Sequence, residues 1–439
     1  MNFNKFFEQA KANGIEQSQL QITRSSQLSI DLFRREIENF SVNDSQSVIA
    51  GGVVNGKFGS SRTEKLDKNT FDFLIKNILI GTSLSEKENV ADIFKGSEKY
   101  HKKNVYNPAL AEKPTEEKLA LIKIIEEKIY AADPRVAEVE VGYGERESAS
   151  EFYNSFGLKL KQKANYFFIS ASAVLRDGEV TKNNWEAILE NDLSKVDVDK
   201  FVNDVVTGAA RKFGADSIAS KKYPTVIDRS VMASLIDYFL SSAVADEVQR
   251  HSSMLEGKLE QKIASSKLTI EEKPLEKNIF FSYFDGEGVA TKNKVVVKNG
   301  VLKTYFYNRE TAKKDGVEST GNGVWSGGKI GTSYGNVFVK PGKQSFDELI
   351  AGIDDGVYIT EVAGLGTGMN ATSGDFSCQA EGFHIVNGKL AEPLNLITLS
   401  GNLLKMLRDL KGFASDVKMS LGSISVASAY IKSMNIGGK

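Results

Sequence analysis

Past about residue 220 the chain changes character, and that shift constrains its fold more than any single motif. The last third is rich in glycine and carries two Asn-Gly pairs, in Lys298-Asn299-Gly300 and in Val386-Asn387-Gly388-Lys389. Asn and Gly tolerate the positive φ of a type I′ turn, so each pair predicts a tight β-hairpin. The earlier part mixes periods instead. Residues 3–11 read as an amphipathic helix, and 19–24, 29–34 and 47–53 as strands of an antiparallel set. Asp67 is a candidate N-cap, followed by Phe71, Leu74, Ile75, Ile78 and Leu79 on one helical face. A polar excursion is expected over 86–114, then a helix from Pro114-Thr115 bearing Leu119, Ile122, Ile125 and Ile129.

Ala137, Val139, Val141 and Tyr143 alternate with polar or small residues, the mark of a half-exposed strand. Residues 151–153 and 158–173 read as two more strands, separated by a turn at Asn154-Ser155-Phe156-Gly157. A helix is expected over 198–213 and a strand over 223–227. Asp228 then caps a helix with Met232, Leu235, Ile236, Phe239, Leu240 and Ala243 on one face. With 439 residues, two or three domains are expected. The pattern predicts an α+β fold. Residues 1–220 form an α/β-layered domain of antiparallel sheet with helices, and 221–439 a mostly β domain with long glycine-rich loops.

Charge and cysteine usage narrow the function. Net charge is −1 with scattered lysine and arginine, so no phosphate-tracking surface is implied and no nucleic-acid partner is expected. Lys102-Lys103 and Lys221-Lys222 read as solvated faces. A lone cysteine, Cys378, fits a reducing compartment. The first residues lack the apolar core and cleavage site of a signal peptide, and no apolar helical pattern reaches the ~20 residues a membrane span needs. A cytoplasmic protein without membrane contact is expected.

Four constellations invite chemistry. His101, His251 and His384 are the only histidines, too far apart for a local two-histidine zinc helix. Gly331-Thr332-Ser333-Tyr334-Gly335 matches G-x-S-x-G, but strand-like Asn336–Val339 follows where a nucleophile elbow needs a helix. Cys378 and His384 fall on one predicted strand, on a shared face, with backbones ~20 Å apart, too far to pair. Gly364-Leu365-Gly366-Thr367-Gly368 resembles a dinucleotide fingerprint without the helix that should follow it. It reads as a loop whose open backbone groups suit an extended peptide. The candidate peptide-binding or interface residues are Gly364, Gly366, Gly368, Asn370, Asp375, Phe376 and Ser377.

Several ordered segments together resemble the TldD/TldE (PmbA) family, in its TldE/PmbA branch. The weaker cues are Gly56-Lys57-Phe58-Gly59 before Thr63–Asp67, and Asn154–Gly157. The specific ones are Asp285-Gly286-Glu287-Gly288-Val289, Ser319-Thr320-Gly321-Asn322-Gly323, Ser373-Gly374-Asp375-Phe376-Ser377, Val386-Asn387-Gly388 and Ile397-Thr398-Leu399-Ser400-Gly401-Asn402. The resemblance implies a two-subunit metalloprotease that degrades or matures unfolded or extended peptides, leader-peptide removal included. In that family the TldD-like subunit carries zinc on a His-Glu-x-x-x-His helix and a C-terminal cysteine. The matching helix here, around Leu235–Ser242, has no histidine, and 418–422 has no cysteine. The chain is therefore expected to hold no cofactor and no catalytic or metal-ligating residue of its own, zinc belonging to a TldD-like partner. Isolated, it can be a homodimer. The competing readings are a stand-alone peptide-binding or regulatory protein, and a hydrolase using Ser333 or Cys378. An association of the family with DNA gyrase gains no support from the charge distribution as a direct DNA contact.

Overall fold

The computed structural model describes residues 2–85 and 91–439, and the chain forms two compact units. The first comprises residues 1–210 together with 277–291 and 323–331; the second comprises the remainder.

In the first unit the order is α1 (Asn4–Ala12), β1 (Gln17–Phe33), β2 (Glu36–Val54), β3 (Lys57–Thr63), α2 (Thr70–Leu84), α3 (Pro108–Ala111), α4 (Thr115–Ala132), β4 (Val136–Asn154), β5 (Lys159–Asp177), β6 (Val180–Glu190) and α5 (Val198–Ala210). The strands make one antiparallel sheet, β3-β2-β1-β4-β5-β6. Helices α1 and α2 bury Phe6, Phe71, Leu74, Ile75 and Ile78 against Leu20, Ile22, Val48 and Ala50 of the sheet. Further along, Ile122, Ile125 and Ile129 of α4 are buried. Lys118 of the same helix is buried too, with its ammonium 2.7 Å from Glu145, to which the Tyr143 hydroxyl also donates.

Four expectations change here. The two strands expected over 19–24 and 29–34 are one strand, β1, which ends at Phe33. Its middle, Ser25-Ser26-Gln27, gives no apolar alternation, yet β1 is hydrogen-bonded to β2 on one side and β4 on the other. For the same reason 151–153 is the end of a continuous β4. Asp67 is not the N-cap of α2; Asn69 holds that position. The Asp67 carboxylate instead accepts the Asn69 N–H at 2.8 Å and turns the chain just before the helix. The predicted excursion over 86–114 begins in residues 86–90, which lie outside the described residues. From 91 to 107 no helix or strand forms, but Ile93 and Val105 are buried, so the segment contributes to packing.

The second unit runs β7 (Lys221–Ile227), α6 (Arg229–Ser241), α7 (Ala245–Gln249), β8 (Ile270–Glu272), β9 (Lys294–Lys298), β10 (Val301–Leu302) and α8 (Arg309–Asp315). A short hairpin, β11 (Gly323–Ser326) and β12 (Lys329–Thr332), interrupts it. Then come β13 (Val337–Val339), α9 (Phe346–Ile350), β14 (Asp355–Ala363), α10 (Leu365–Gly368), β15 (Asp375–Val386), β16 (Lys389–Asn402), α11 (Leu403–Arg408), β17 (Leu410–Phe413), β18 (Lys418–Met419), β19 (Ile424–Val426) and β20 (Ala429–Gly437). One sheet is β10-β9-β8-β13-β19-β18. The other is β16-β15-β14-β7-β20-β17, and β16 also pairs with β20, which closes it into a barrel. Both Asn-Gly hairpins form as expected, with φ of 50° and 82° at Asn299-Gly300 and 48° and 75° at Asn387-Gly388. The α+β class read from the sequence holds. No described helix is long and apolar enough to cross a membrane.

Gly59 shows how closely the first unit is assembled. A Cβ there would run into the Ile78 carbonyl oxygen and lie 2.9 Å from the Thr82 nitrogen, both backbone atoms of α2. The helix therefore seats directly on β3. Gly59→Ala is expected to lower the unfolding free energy by about 1–3 kcal/mol, because neither backbone can yield cheaply. Chemical denaturation checks this, and an unchanged midpoint would contradict the contact.

Candidate functional site

Helix α6 is where the resemblance puts a metal, so its side chains come first. Asp228 caps it, accepting the Ser230 N–H at 2.8 Å. Met232, Leu235, Ile236, Phe239 and Leu240 are buried, as the periodicity predicts. Asp237 is on the exposed side and receives the Tyr334 hydroxyl at 2.7 Å. Burial and this carboxylate push the Tyr334 phenol well above its usual range. The helix thus offers one carboxylate, already hydrogen-bonded, and no imidazole. Those donors do not fit a zinc ion, which takes three or four nitrogen, sulfur or carboxylate ligands. Among the described residues no group of three or more histidine, cysteine or carboxylate side chains is arranged to hold a metal.

The glycine-rich segment following β14 lies on the surface of the second unit. Gly364 adopts φ +80°, and Leu365–Gly368 form one helical turn, α10, where the sequence suggests an open loop. The turn closes because the Gly364 carbonyl accepts both the Thr367 and Gly368 N–H groups, at 3.1 and 2.7 Å. Asn370 then builds a second turn, its Oδ1 accepting the N–H groups of Thr372 and Ser373 at 3.0 Å. Asp375 is held by the Asn402 amide at 2.9 Å and the Ser373 hydroxyl at 2.8 Å. Asn402, then Ser373, hold the Asp375 carboxyl below the usual carboxylate range. Asn370 and Asp375 of the predicted site are thus engaged by local backbone and by Ser373 and Asn402. Gly364, Gly366, Asn370, Asp375 and Ser377 are exposed, Gly368 is half-buried and Phe376 is buried.

The other motifs are also held internally. In the first unit Asp285 Oδ1 accepts the N–H groups of Glu287 and Val289, and Oδ2 accepts that of Gly323, each at 2.9 Å. In the second unit Asn322 donates to Glu272 at 2.8 Å and to the Ser333 carbonyl at 2.7 Å. Its Oδ1 accepts from Lys294 at 3.0 Å and from Thr320 at 2.7 Å. Lys294 also pairs with Glu272, and both side chains are buried. No motif announces Glu272 or Lys294 in the sequence; the one available signal is a charge opposite a charge on adjacent strands.

Ser333 is followed by strand β13, so the elbow geometry does not arise. Its hydroxyl donates to the Tyr334 carbonyl, at 3.4 Å. Cys378 and His384 do share β15 and one of its faces: His384 sits opposite Val357, which belongs to the same core as Cys378. The register shifts between Ala380 and Gly382 and between Phe383 and Ile385 put the extra residues on β16 and leave the alternation of β15 intact. Cys378 stays in the barrel core, where burial pushes its thiol up. His384 is half-buried between Asp355, at 2.8 Å, and Glu392, at 2.5 Å. Desolvation would lower His384, but its bonds to Asp355 and Glu392 outweigh that and hold the imidazole above its usual range.

Two predictions come from this geometry. A Cβ on Gly366 would meet only the Tyr238 hydroxyl, at 3.7 Å, whereas one on Gly368 would strike the Ser377 carbonyl oxygen and lie 3.2 Å from Cys378 Sγ. Gly366→Val should change stability by less than about 0.5 kcal/mol, and Gly368→Val should lose about 2 kcal/mol or more. Equal losses in denaturant melts would refute this placement. For His384, the folded value lies above the unfolded one, about 6.5. Its stabilisation is therefore fully present below the unfolded value and lost as pH rises through the folded one. The stability gap between wild type and His384→Asn should shrink from mildly acidic to alkaline pH. A gap that widens with pH would contradict the pairing.

Comparison with known proteins then adds relatives. Residues 220–438 match the model of the PmbA/TldA metallopeptidase C-terminal domain, and 108–213 that of the PmbA/TldA metallopeptidase central domain. A metalloprotease of Methanothermobacter thermautotrophicus is 33% identical over 65% of this chain and 64% of its own length. A PmbA homologue of Buchnera aphidicola is 27% identical over 95% of each chain. Among solved structures, a Thermotoga maritima protein described as a proposed modulator of a DNA gyrase is 29% identical, with a TM-score of 0.91 over 99% of both chains. TldE from Thermococcus kodakarensis has the same fold, with a TM-score of 0.91 at 21% identity over 99% of this chain and 100% of its own.

Proposed function

The chain belongs to the PmbA/TldA metallopeptidase family, and from that premise we propose that it is the non-catalytic, zinc-free subunit of a TldD–TldE-type protease. It works in the cytoplasm beside a TldD-like chain, on unfolded or extended peptides. The observation that carries this reading is the donor set of α6. Where a zinc helix presents imidazoles, this one presents a hydrophobic face and Asp237, bonded to Tyr334. Replacing such a helix face by apolar packing stabilises a fold but removes its capacity to activate water.

The subunit's contribution is then shape and substrate holding. The exposed turn around Gly364 and Gly366 presents backbone with little side chain above it, which suits recognition of peptide main chain over sequence. The Thr367 and Gly368 N–H groups close that turn on the Gly364 carbonyl, so its ordering entropy is lost on folding and not on binding.

The reading predicts that the isolated chain cleaves no unstructured peptide, and that cleavage appears on mixing with the TldD-like chain of the same genome. Ser333→Ala and Cys378→Ala should support that activity like wild type. Gly366→Val should remain folded and assembled yet turn over peptide poorly. Peptidase assays with size-exclusion chromatography measure all three. Activity of the isolated chain, abolished by either alanine variant, would overturn the proposal. A Gly366→Val complex with normal turnover would remove the turn from the substrate path.

A further inference from the structure

Strand β2 is 19 residues long, but one of its two neighbours covers only part of it. β1 runs beside nearly all of β2, whereas β3 pairs with residues 48–54 alone. Among the described residues no strand lies beside 36–47 in the lane where β3 stops. The register says which backbone groups face that lane. At its two ends β1 bonds toward β4 through even-numbered residues: the Ser18 carbonyl accepts the Ser155 N–H at 2.8 Å, and the Arg34 N–H donates to the Val139 carbonyl at 3.4 Å. The β1–β4 register is unbroken between them. Bonding alternates along an antiparallel strand, so the odd-numbered residues of β1 bond to β2. Ser29 with Ser41 and Gln27 with Asn43 are such pairs. The N–H and C=O groups of Phe40, Val42 and Asp44 are left directed into the open lane.

The side chains along this edge are apolar and uncovered. Ile37, Phe40 and Val42 are 46%, 53% and 61% exposed. They stand opposite Leu32, Ile30 and Leu28 of β1, the first two fully buried, so the row carries the core face of the sheet out to its open edge. A register shift at Glu38 lies near the hairpin tip and leaves 39–47 regular. Long edges are ordinarily blunted by lysine or proline, and residues 36–56 contain neither. The charges of the open stretch are Glu36, Glu38 and Asp44. The nearest guanidinium groups are turned to other partners: Arg34 to Glu138, Arg24 to Glu151, Arg62 to Ser47, and Arg35 over the Tyr130 ring. The Arg35 N–H also donates to Glu126 at 2.7 Å, which fixes the hairpin tip and preorganises the edge. A second copy of the strand, paired antiparallel about Ser41, would set Glu38 against Asp44, like charges directly opposite. We infer that the open edge of β2 takes up, as an added strand, an extended segment of a partner polypeptide that carries lysine or arginine among β-branched residues. This surface belongs to the first unit alone and does not rest on the proteolytic reading.

The probe is a labelled peptide, Lys-Val-Thr-Val-Lys-Val-Thr-Val-Lys, titrated with the full chain at low ionic strength and read by fluorescence anisotropy. The same peptide with glutamate in place of lysine runs in parallel. The lysine peptide should bind saturably and about tenfold or more tighter than its glutamate counterpart, and should weaken as salt rises. Hydrogen exchange at residues 39–46 should slow on binding. Val42→Pro removes an N–H that faces the lane and none that faces β1, so it should weaken binding by about tenfold or more. Val42→Thr keeps the N–H and the β-branch and should bind within about threefold of wild type. Glu38→Lys/Asp44→Lys, at two exposed positions, should turn the preference toward the glutamate peptide, and it serves as the test if the proline variant melts early. Absence of saturable binding, or unchanged binding by a folded Val42→Pro, would overturn the inference. So would a wild-type preference for the glutamate peptide. Self-association abolished by Val42→Pro would also overturn it, by giving the edge to a second copy.

Discussion

The second unit depends on one ion pair that water hardly reaches. Glu272 ends β8 and Lys294 begins β9, directly opposite each other in the ladder, and their side chains are 3% and 8% exposed. Such a pair gains little over apolar packing, but removing one member leaves a buried charge and costs about 3–5 kcal/mol. Glu272 therefore recruits every donor within reach: Lys294, the Asn322 amide and the Gly335 N–H at 3.0 Å. Through Asn322 the network reaches Thr320, whose hydroxyl accepts the Tyr307 N–H at 2.7 Å. Residues 319–322 are positioned by this network rather than by regular secondary structure.

The same logic explains why the ordered motifs sit where they do. Asp285 joins residues 277–291 to 323–331, the two late segments that return to the first unit. Asp375 and Asn402, nearly thirty residues apart, close the surface turn on one another. Asn402 also caps α11 by accepting the Lys405 N–H. Each is a polar side chain hydrogen-bonded to backbone or to a neighbouring polar side chain.

How much was legible follows from range. Local signals read correctly: the two Asn-Gly hairpins, the Asp228 cap and the apolar face of α6 all rest on contacts within a few residues. The continuity of β1 did not show, because Ser25-Ser26-Gln27 is stabilised by two neighbouring strands rather than by its own pattern. The turn of helix at Leu365–Gly368 was hidden by glycine's indifference to φ. The bulges of β16 against β15 arise from register between the two strands and leave no mark in the alternation of residue types. The charged network around Glu272 is assembled from distant segments and invisible until the chain folds.

The account's central claim is the proposal that α6 packs where a zinc helix would ligate, so that activity would need a zinc-bearing partner. Burial of Leu235, Ile236, Phe239 and Leu240 and the Tyr334–Asp237 bond support that proposal. Elemental analysis of the purified chain, after mild chelator washing and dialysis against zinc, tests it most directly. The account predicts zinc well below one ion per chain and no shift of the unfolding midpoint with added zinc. About one zinc per chain, retained through the wash and stabilising the fold, would contradict it.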